Sequence, residues 1–277
     1  GFVTYNLLIS VFLPRGQLEA GLNFLQEMQE KAELRDDRFL IGFTSFWQVV
    51  TLHYLGQHES ALKLILSIQS RDEAIWSQSR YVTFLALSCY LYLLCDQEEL
   101  ALITSREVLK SVKTIDQIDE PRARTLNYLA KSALLIGDKD VLQQGLEFIK
   151  SATSFHKKTN EYLMITADLT ISAQLHLALF EIDGDRTHLD QAFESSSEAV
   201  QLPEKDPEAC LLDEYCYTHA RVLKALGRDD EVEPYLRKAF DRVIQVADNL
   251  EDENLRQSWL ENVAIHRAIL AEASSRG

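Results

Sequence analysis

Cationic and amide side chains recur at helical spacing in two places in this chain. Arg124, Asn127 and Lys131 lie at steps of three and four residues, as do Glu214, Tyr217, Arg221 and Lys224. Such steps put side chains on one stripe of a helix. Guanidinium and ammonium donors with an amide between them suit a carboxylate or an acidic peptide, because hydrogen bonds to ionised groups are the stronger kind. The competing reading is an ordinary solvated helix face. Other chemistries find less footing. Asp183, Asp185 and Thr187, with Glu194 at the twelfth place, imitate part of a calcium loop. His188 stands where that turn needs glycine, however, and Asp190 where it needs an apolar residue. An acidic turn that caps the next helix is the simpler expectation.

The seven histidines include no pair at i, i+4; His53 and His58 are five apart across a turn, and no metal site or cofactor is expected. Cys89 and Cys95, and Cys210 and Cys216, are each six apart. That is neither a metal-knuckle spacing nor C-x-x-C, so reduced core thiols are expected. The Gly42–Phe46 string lacks the second glycine of a nucleophile elbow, which makes Ser45 structural. No Walker A, G-x-G-x-x-G or H-E-x-x-H string is present, and any nucleotide-handling module would belong to another part of a longer chain.

The elements that position these residues announce themselves by a period. Gly16, Gly56, Asp96, Gly137, Gly184 and Gly227 each end an apolar helical stretch and precede a polar restart, at intervals of 40, 40, 41, 47 and 43 residues. Periods in this range mark stacked repeats whose units bury their apolar faces against their neighbours. Apolar positions step at helical intervals between the hinges, and the Val-rich run at Gln48–Thr51 lacks hairpin turn chemistry. The pattern predicts about thirteen helices and no strand. A short helix is expected over Phe2–Leu13, a capping box at Ser70 and Glu73, an N-cap at Asp206-Pro207, and one closing helix over Glu253–Ala273.

Composition sets outer bounds. At 46% hydrophobic residues with five prolines and ten glycines, the chain can bury a large core. A net charge of −15 argues against duplex DNA or an anionic membrane as a generic partner. No apolar run approaches the ~20 residues that span a bilayer, and no signal peptide opens the sequence, so a cytoplasmic location is expected. Lacking an initiator Met, the sequence reads as a single domain, residues 1–277, excised from a longer protein.

Aligned on their hinges, the units resemble tetratricopeptide repeats. Ala130 and Ala220 occupy the family's small position in the first helix, with Cys89 a small substitute. Gly21, Ala61 and Ala101 occupy that of the second helix. Ala192, Ala199 and Pro203 keep the family's second-helix spacing, while the larger Val49, Leu142 and Val232 occupy nominally small sites. The longer period is similar to the repeat regions of large bacterial signal-transduction ATPases and maltose-regulon-activator-type regulators, and the ending Glu253–Val263 with His266-Arg267 resembles their closing helix.

The resemblance implies an all-α, α-α superhelix of about six helix pairs with a C-terminal capping helix. In it, first helices line a concave groove. Phe43, Phe46, His53 and Tyr90 then join Arg124, Asn127, Lys131, Tyr217, Arg221 and Lys224 as groove residues. The implied function is non-catalytic: a protein- or peptide-interaction and sensing module of a bacterial signalling or transcription-regulatory protein. Its partner would be a polypeptide with acidic groups, or another domain of the parent chain, with no direct nucleic-acid or membrane contact. The alternatives are a peptide-pheromone-type receptor domain and an α/α-barrel enzyme with a catalytic carboxylate pair.

Overall fold

The computed structural model describes residue 12 and residues 15–69, 78–113, 119–205 and 212–274. The expected helix at Phe2–Leu13 (except Phe12), the Ser70–Glu73 capping box, the Asp206-Pro207 N-cap and Cys210 lie outside the described residues. Within them the chain is all-helical and without strands. Thirteen α-helices follow in order: α1 (Leu18–Leu34), α2 (Arg38–Tyr54), α3 (His58–Gln69), α4 (Gln78–Leu94), α5 (Glu98–Lys113), α6 (Glu120–Ile136), α7 (Lys139–Thr159), α8 (Tyr162–Asp183), α9 (Arg186–Lys205), α10 (Leu212–Ala225), α11 (Val232–Asp248), α12 (Glu253–Glu261) and α13 (Ala264–Ser274). A 3-10 turn at Asp229–Glu231 precedes α11.

Local chemistry explains the boundaries. Asp37, Asp119, Asp138 and Asp252 each accept backbone N–H groups of the first turn that follows, which have no partner inside the helix. At the other end, all six hinge residues take a positive φ, Asp96 (58°) among them. At Gly56, Asp96, Gly137, Gly184 and Gly227 this left-handed residue turns the chain out of the helix while its N–H still bonds a carbonyl of the last turn.

The chain forms two compact units, one of Gly1–Lys110 with Val243–Arg267, the other of Ser111–Arg242 with Ala268–Gly277. In the first, α1 packs on α2, α2 on α3 and α3 on α4. The 243–267 segment docks on two of the hinges. Glu19 accepts the Glu251 and Asp252 backbone N–H groups at 2.7 and 3.2 Å, and the Asn262 amide donates to the Gly56 carbonyl at 3.2 Å. The expected closing helix is broken here into α12 and α13. Asn262 caps α12 and is held by Gly56, and beyond the break His266 folds back, its Nδ1 2.7 Å from the Trp259 carbonyl and its ring 3.9 Å from the indole.

Gly56 has no room for a side chain: a Cβ there would sit 2.5 Å from the Ser258 carbonyl oxygen, on top of φ +75°. Gly137 has nearly the same φ, +72°, with nothing within 4 Å. Gly137→Ala should therefore cost only the strain of a left-handed alanine, about 1–2 kcal/mol. Gly56→Ala should cost clearly more, and the difference measures the docking of α12. Equal urea midpoints for the two variants would show that the docking contributes nothing.

In the second unit each helix packs on the next from α6 to α10, and α8 also touches α6 and α10. First helices thus contact first helices one pair away, as stacked repeats require. Gly145 lets α7 approach closely, since a Cβ there would lie 2.9 Å from the Ala133 Cβ and 3.1 Å from Leu175 Cδ2. The small-residue positions are filled as the periodicity implies: Ala61, Ala130 and Ala192 are fully buried, and Ala220 packs with Leu223 and Val232. α8 departs from expectation in one respect. It is 22 residues long and contains an 18-residue stretch of mean hydropathy 1.4, long and apolar enough to cross a membrane by length and composition. Yet 56% of that stretch is buried inside the structure, and neighbours on several sides account for an apolar circumference.

Candidate functional site

The residues expected to line a groove sit on first helices, several of them where successive first helices meet. In the second unit the seam is polar. The Asn127 amide donates to Asp168 Oδ1 at 2.8 Å, joining α6 to α8. The Gln174 amide donates to Glu214 and Thr218 at 3.3 and 3.0 Å, joining α8 to α10, and Arg221 donates to Glu181 at 3.0 Å. The partners are 40 to 44 residues apart, so each bond spans one repeat.

The cations of the stripe are correspondingly engaged. Arg124 is 8% exposed and pairs with Glu120. Lys131 exerts its charge on Asp168. Lys224 pairs with Glu272 at 3.0 Å, and the buried Tyr217 hydroxyl donates to the same carboxylate at 3.4 Å. Arg221 and Lys224 keep an exposed surface, and Asn127 does not.

Deepest in this seam is a three-residue cluster. Asp168 and His156 are fully buried, and Asn127 nearly so. His156 Nδ1 lies 2.7 Å from Asp168 Oδ2, and its Nε2 is buried with no hydrogen-bond partner. Burial pushes the Asp168 carboxyl above the usual carboxylate range, against the pull of the His156 and Asn127 hydrogen bonds and the Lys131 charge. Neither Asp168 nor His156 belongs to the stripes that the sequence singles out. A signal for Asp168 was present: it is the lone Asp, Glu, Lys or Arg between Tyr162 and Phe180, one period after Asn127.

In the first unit the seam is aromatic. Phe46 sets its edge against Phe84 at 5.3 Å and Trp47 at 5.5 Å, and His53 meets Tyr90 at 5.1 Å, so the Phe46–Phe84 and His53–Tyr90 contacts join α2 to α4. Phe43 lies 6.4 Å from both Phe39 and Trp47, and Arg80 covers Phe39 at 4.7 Å. All four predicted aromatic-stripe residues are half-buried.

An open groove of about 780 Å³ lies elsewhere in the second unit, walled by α7 and α9 and floored by α8. Lys150, Lys157 and Lys158 stand on the α7 wall, and Glu194 and Glu198 on the α9 wall, while the floor presents Leu169, Ser172 and His176. Lys157 bridges to Glu198 at 2.7 Å, and the Ser172 and Ser195 hydroxyls are 3.2 Å apart. α7 and α9 are second helices, outside the stripe from which the sequence placed its binding residues.

The remaining candidates resolve into local structure. Asp183 accepts the Asp185 N–H and Asp185 the Thr187 N–H, a capping turn at the start of α9. Ser45 is buried and 3.3 Å from Gln29 Oε1. Cys89, Cys95 and Cys216 are free thiols, and burial pushes Cys216 up to about 12. No protein-family model matches the chain, and no curated protein sequence matches it significantly.

Proposed function

We propose that this chain is a non-catalytic, tetratricopeptide-like interaction and sensing module of a larger bacterial signalling or transcription-regulatory protein, acting in the cytoplasm. The hinge period and the contacts between successive first helices support the repeat reading. The observation that carries the binding reading is the α7–α9 groove, whose volume falls in the range of small-ligand and side-chain pockets.

The partner is a polypeptide that turns acidic side chains toward α7. Lys150 and Lys158 flank the Lys157–Glu198 bridge and make no ion pair among the described residues, so they can pair with an incoming carboxylate. Arg124, Arg221 and Lys224 already hold carboxylates of their own chain.

Fluorescein-labelled acidic decapeptides, with glutamine-for-glutamate counterparts as controls, test this reading. Acidic peptides should bind, and binding should weaken as salt rises, because partly exposed pairs are screened over about 8–10 Å at ordinary ionic strength. The Lys150→Glu/Lys158→Glu variant should lose most of the binding, and Arg221→Ala/Lys224→Ala little. Loss in the second variant alone would place the seat on the first-helix stripe and discard the groove.

A further inference from the structure

Two histidine pairs, one in each unit, face each other across a hinge with nearly the same geometry. His53 and His58 bring their Nδ1 atoms to 3.3 Å, and His176 and His188 bring theirs to 3.2 Å. The rings are inclined at 37° in both pairs. Two imidazole nitrogens bound tetrahedrally to one zinc ion, each at about 2.0–2.1 Å, are about 3.3 Å apart. Each pair therefore already has the nitrogen separation that a shared metal ion imposes. The equivalent positions are reached by different spacing: five residues separate the first pair and twelve the second, because the Gly184 hinge carries more intervening chain.

The surroundings distinguish the pairs. His176 lines the α7–α9 groove, which gives an ion and its water ligands a way in. Asp183 Oδ2 lies 4.0 Å from His188 Nε2, on the ring edge turned away from His176. At that distance the carboxylate does not hydrogen-bond the ring and contributes only negative charge near the pair, partly offset by Lys139 at 2.9 Å. His58, by contrast, hydrogen-bonds the Asn262 backbone and feels the positive charge of Arg267. That charge opposes a divalent cation.

We propose that His176 and His188 form an exchangeable site for a divalent transition-metal ion that prefers imidazole, such as Zn²⁺, with both Nδ1 atoms as protein ligands and water completing the coordination. No group of three or more His, Cys, Asp or Glu suited to a metal occurs among the described residues, so the proposed site has only its two imidazole ligands from the chain. An ion with open positions facing the groove can take a ligand carboxylate or imidazole from outside the chain. The His53–His58 pair has the donor spacing without the electrostatics, and serves as the internal control.

The test is calorimetric titration of Zn²⁺ into the tag-free, chelator-stripped chain at pH 7.5. One saturable equivalent is expected. His176→Gln and His188→Gln should each remove it, with unchanged far-UV circular dichroism. Asp183→Asn removes nearby negative charge without removing a ligand, so it should weaken binding less than either histidine variant. His53→Gln should leave affinity within about 2-fold, since this pair lies apart from the two proposed nitrogen ligands. His188 is 20% exposed on the first turn of α9, where glutamine is readily accommodated. Absence of saturable binding, or binding that persists in both His176→Gln and His188→Gln, overturns the proposal.

Discussion

Asp168→Ala should destabilise the second unit by about 3–5 kcal/mol, since each of two buried partners left unsatisfied costs about 1–3 kcal/mol. The loss has two sources. His156 Nδ1 and the Asn127 amide would both be left without an acceptor in a place closed to water. The contact that ties α6 to α8 would also disappear. Asp168→Asn keeps one acceptor and should cost less, about 1–3 kcal/mol, because one of the two buried donors is left unmade. Pairing Asp168→Ala with Asn127→Ala should be non-additive, since the second change removes a donor that the first has already orphaned. Urea unfolding followed by circular dichroism measures all three. If Asp168→Ala cost less than about 1 kcal/mol, typical of any point substitution, the cluster would not be the seam's main tie.

Acidification should weaken the same unit through His219. This side chain is 4% exposed, lies 2.9 Å from Ser196 Oγ through Nδ1, and meets the Tyr235 ring edge-on at 4.5 Å. Burial, helped by the Arg228 charge and opposed by Glu231, holds its pKa down to about 4, against 6.5 for the free side chain. The unfolded chain therefore takes up the proton first as pH falls. Stability is fully present above about 6.5, declines between 6.5 and about 4, and levels off below. The whole shift corresponds to more than 3 kcal/mol, and about 2 kcal/mol is expected once screening by nearby solvent is allowed for. His219→Gln should flatten the profile of urea midpoint against pH in this window. An unchanged slope would mean that His219 is hydrated in the fold.

The period and the small residues were legible because they obey local rules. Each hinge needs a left-handed residue after an apolar helix, and glycine at five of six positions makes that need visible; Asp96 shows that the apolar frame, rather than glycine alone, carries the signal. Ala61, Ala130, Ala192 and Ala220 are small because helices cross there, and repetition at a fixed offset exposed them. The stripes Phe43–Phe46–His53 and Arg124–Asn127–Lys131 were also correctly placed on first helices. What those stripes face was not legible. Whether a cation meets solvent or a carboxylate one repeat away depends on how closely successive first helices approach, and that distance is set by packing at sites such as Gly145.

The same division holds at the chain's end. Glu253–Ala273 has uninterrupted helical periodicity, and nothing local forbids one helix. The break at Asn262 arises because its amide is claimed by the Gly56 carbonyl, 206 residues away, while His266 turns back on Trp259. The groove between α7 and α9, the buried Asp168–His156 contact and the His176–His188 pair are likewise tertiary in origin. Each joins side chains on different helices, so its existence rests on where helices stop and how they stack. By itself, then, the sequence determined the helices, their period and which residues share a face, because these follow from backbone sterics and apolar spacing. Only the tertiary structure decided which polar groups spend their hydrogen bonds inside the fold and which stay open to a partner, because that depends on distances between helices that no single helix encodes.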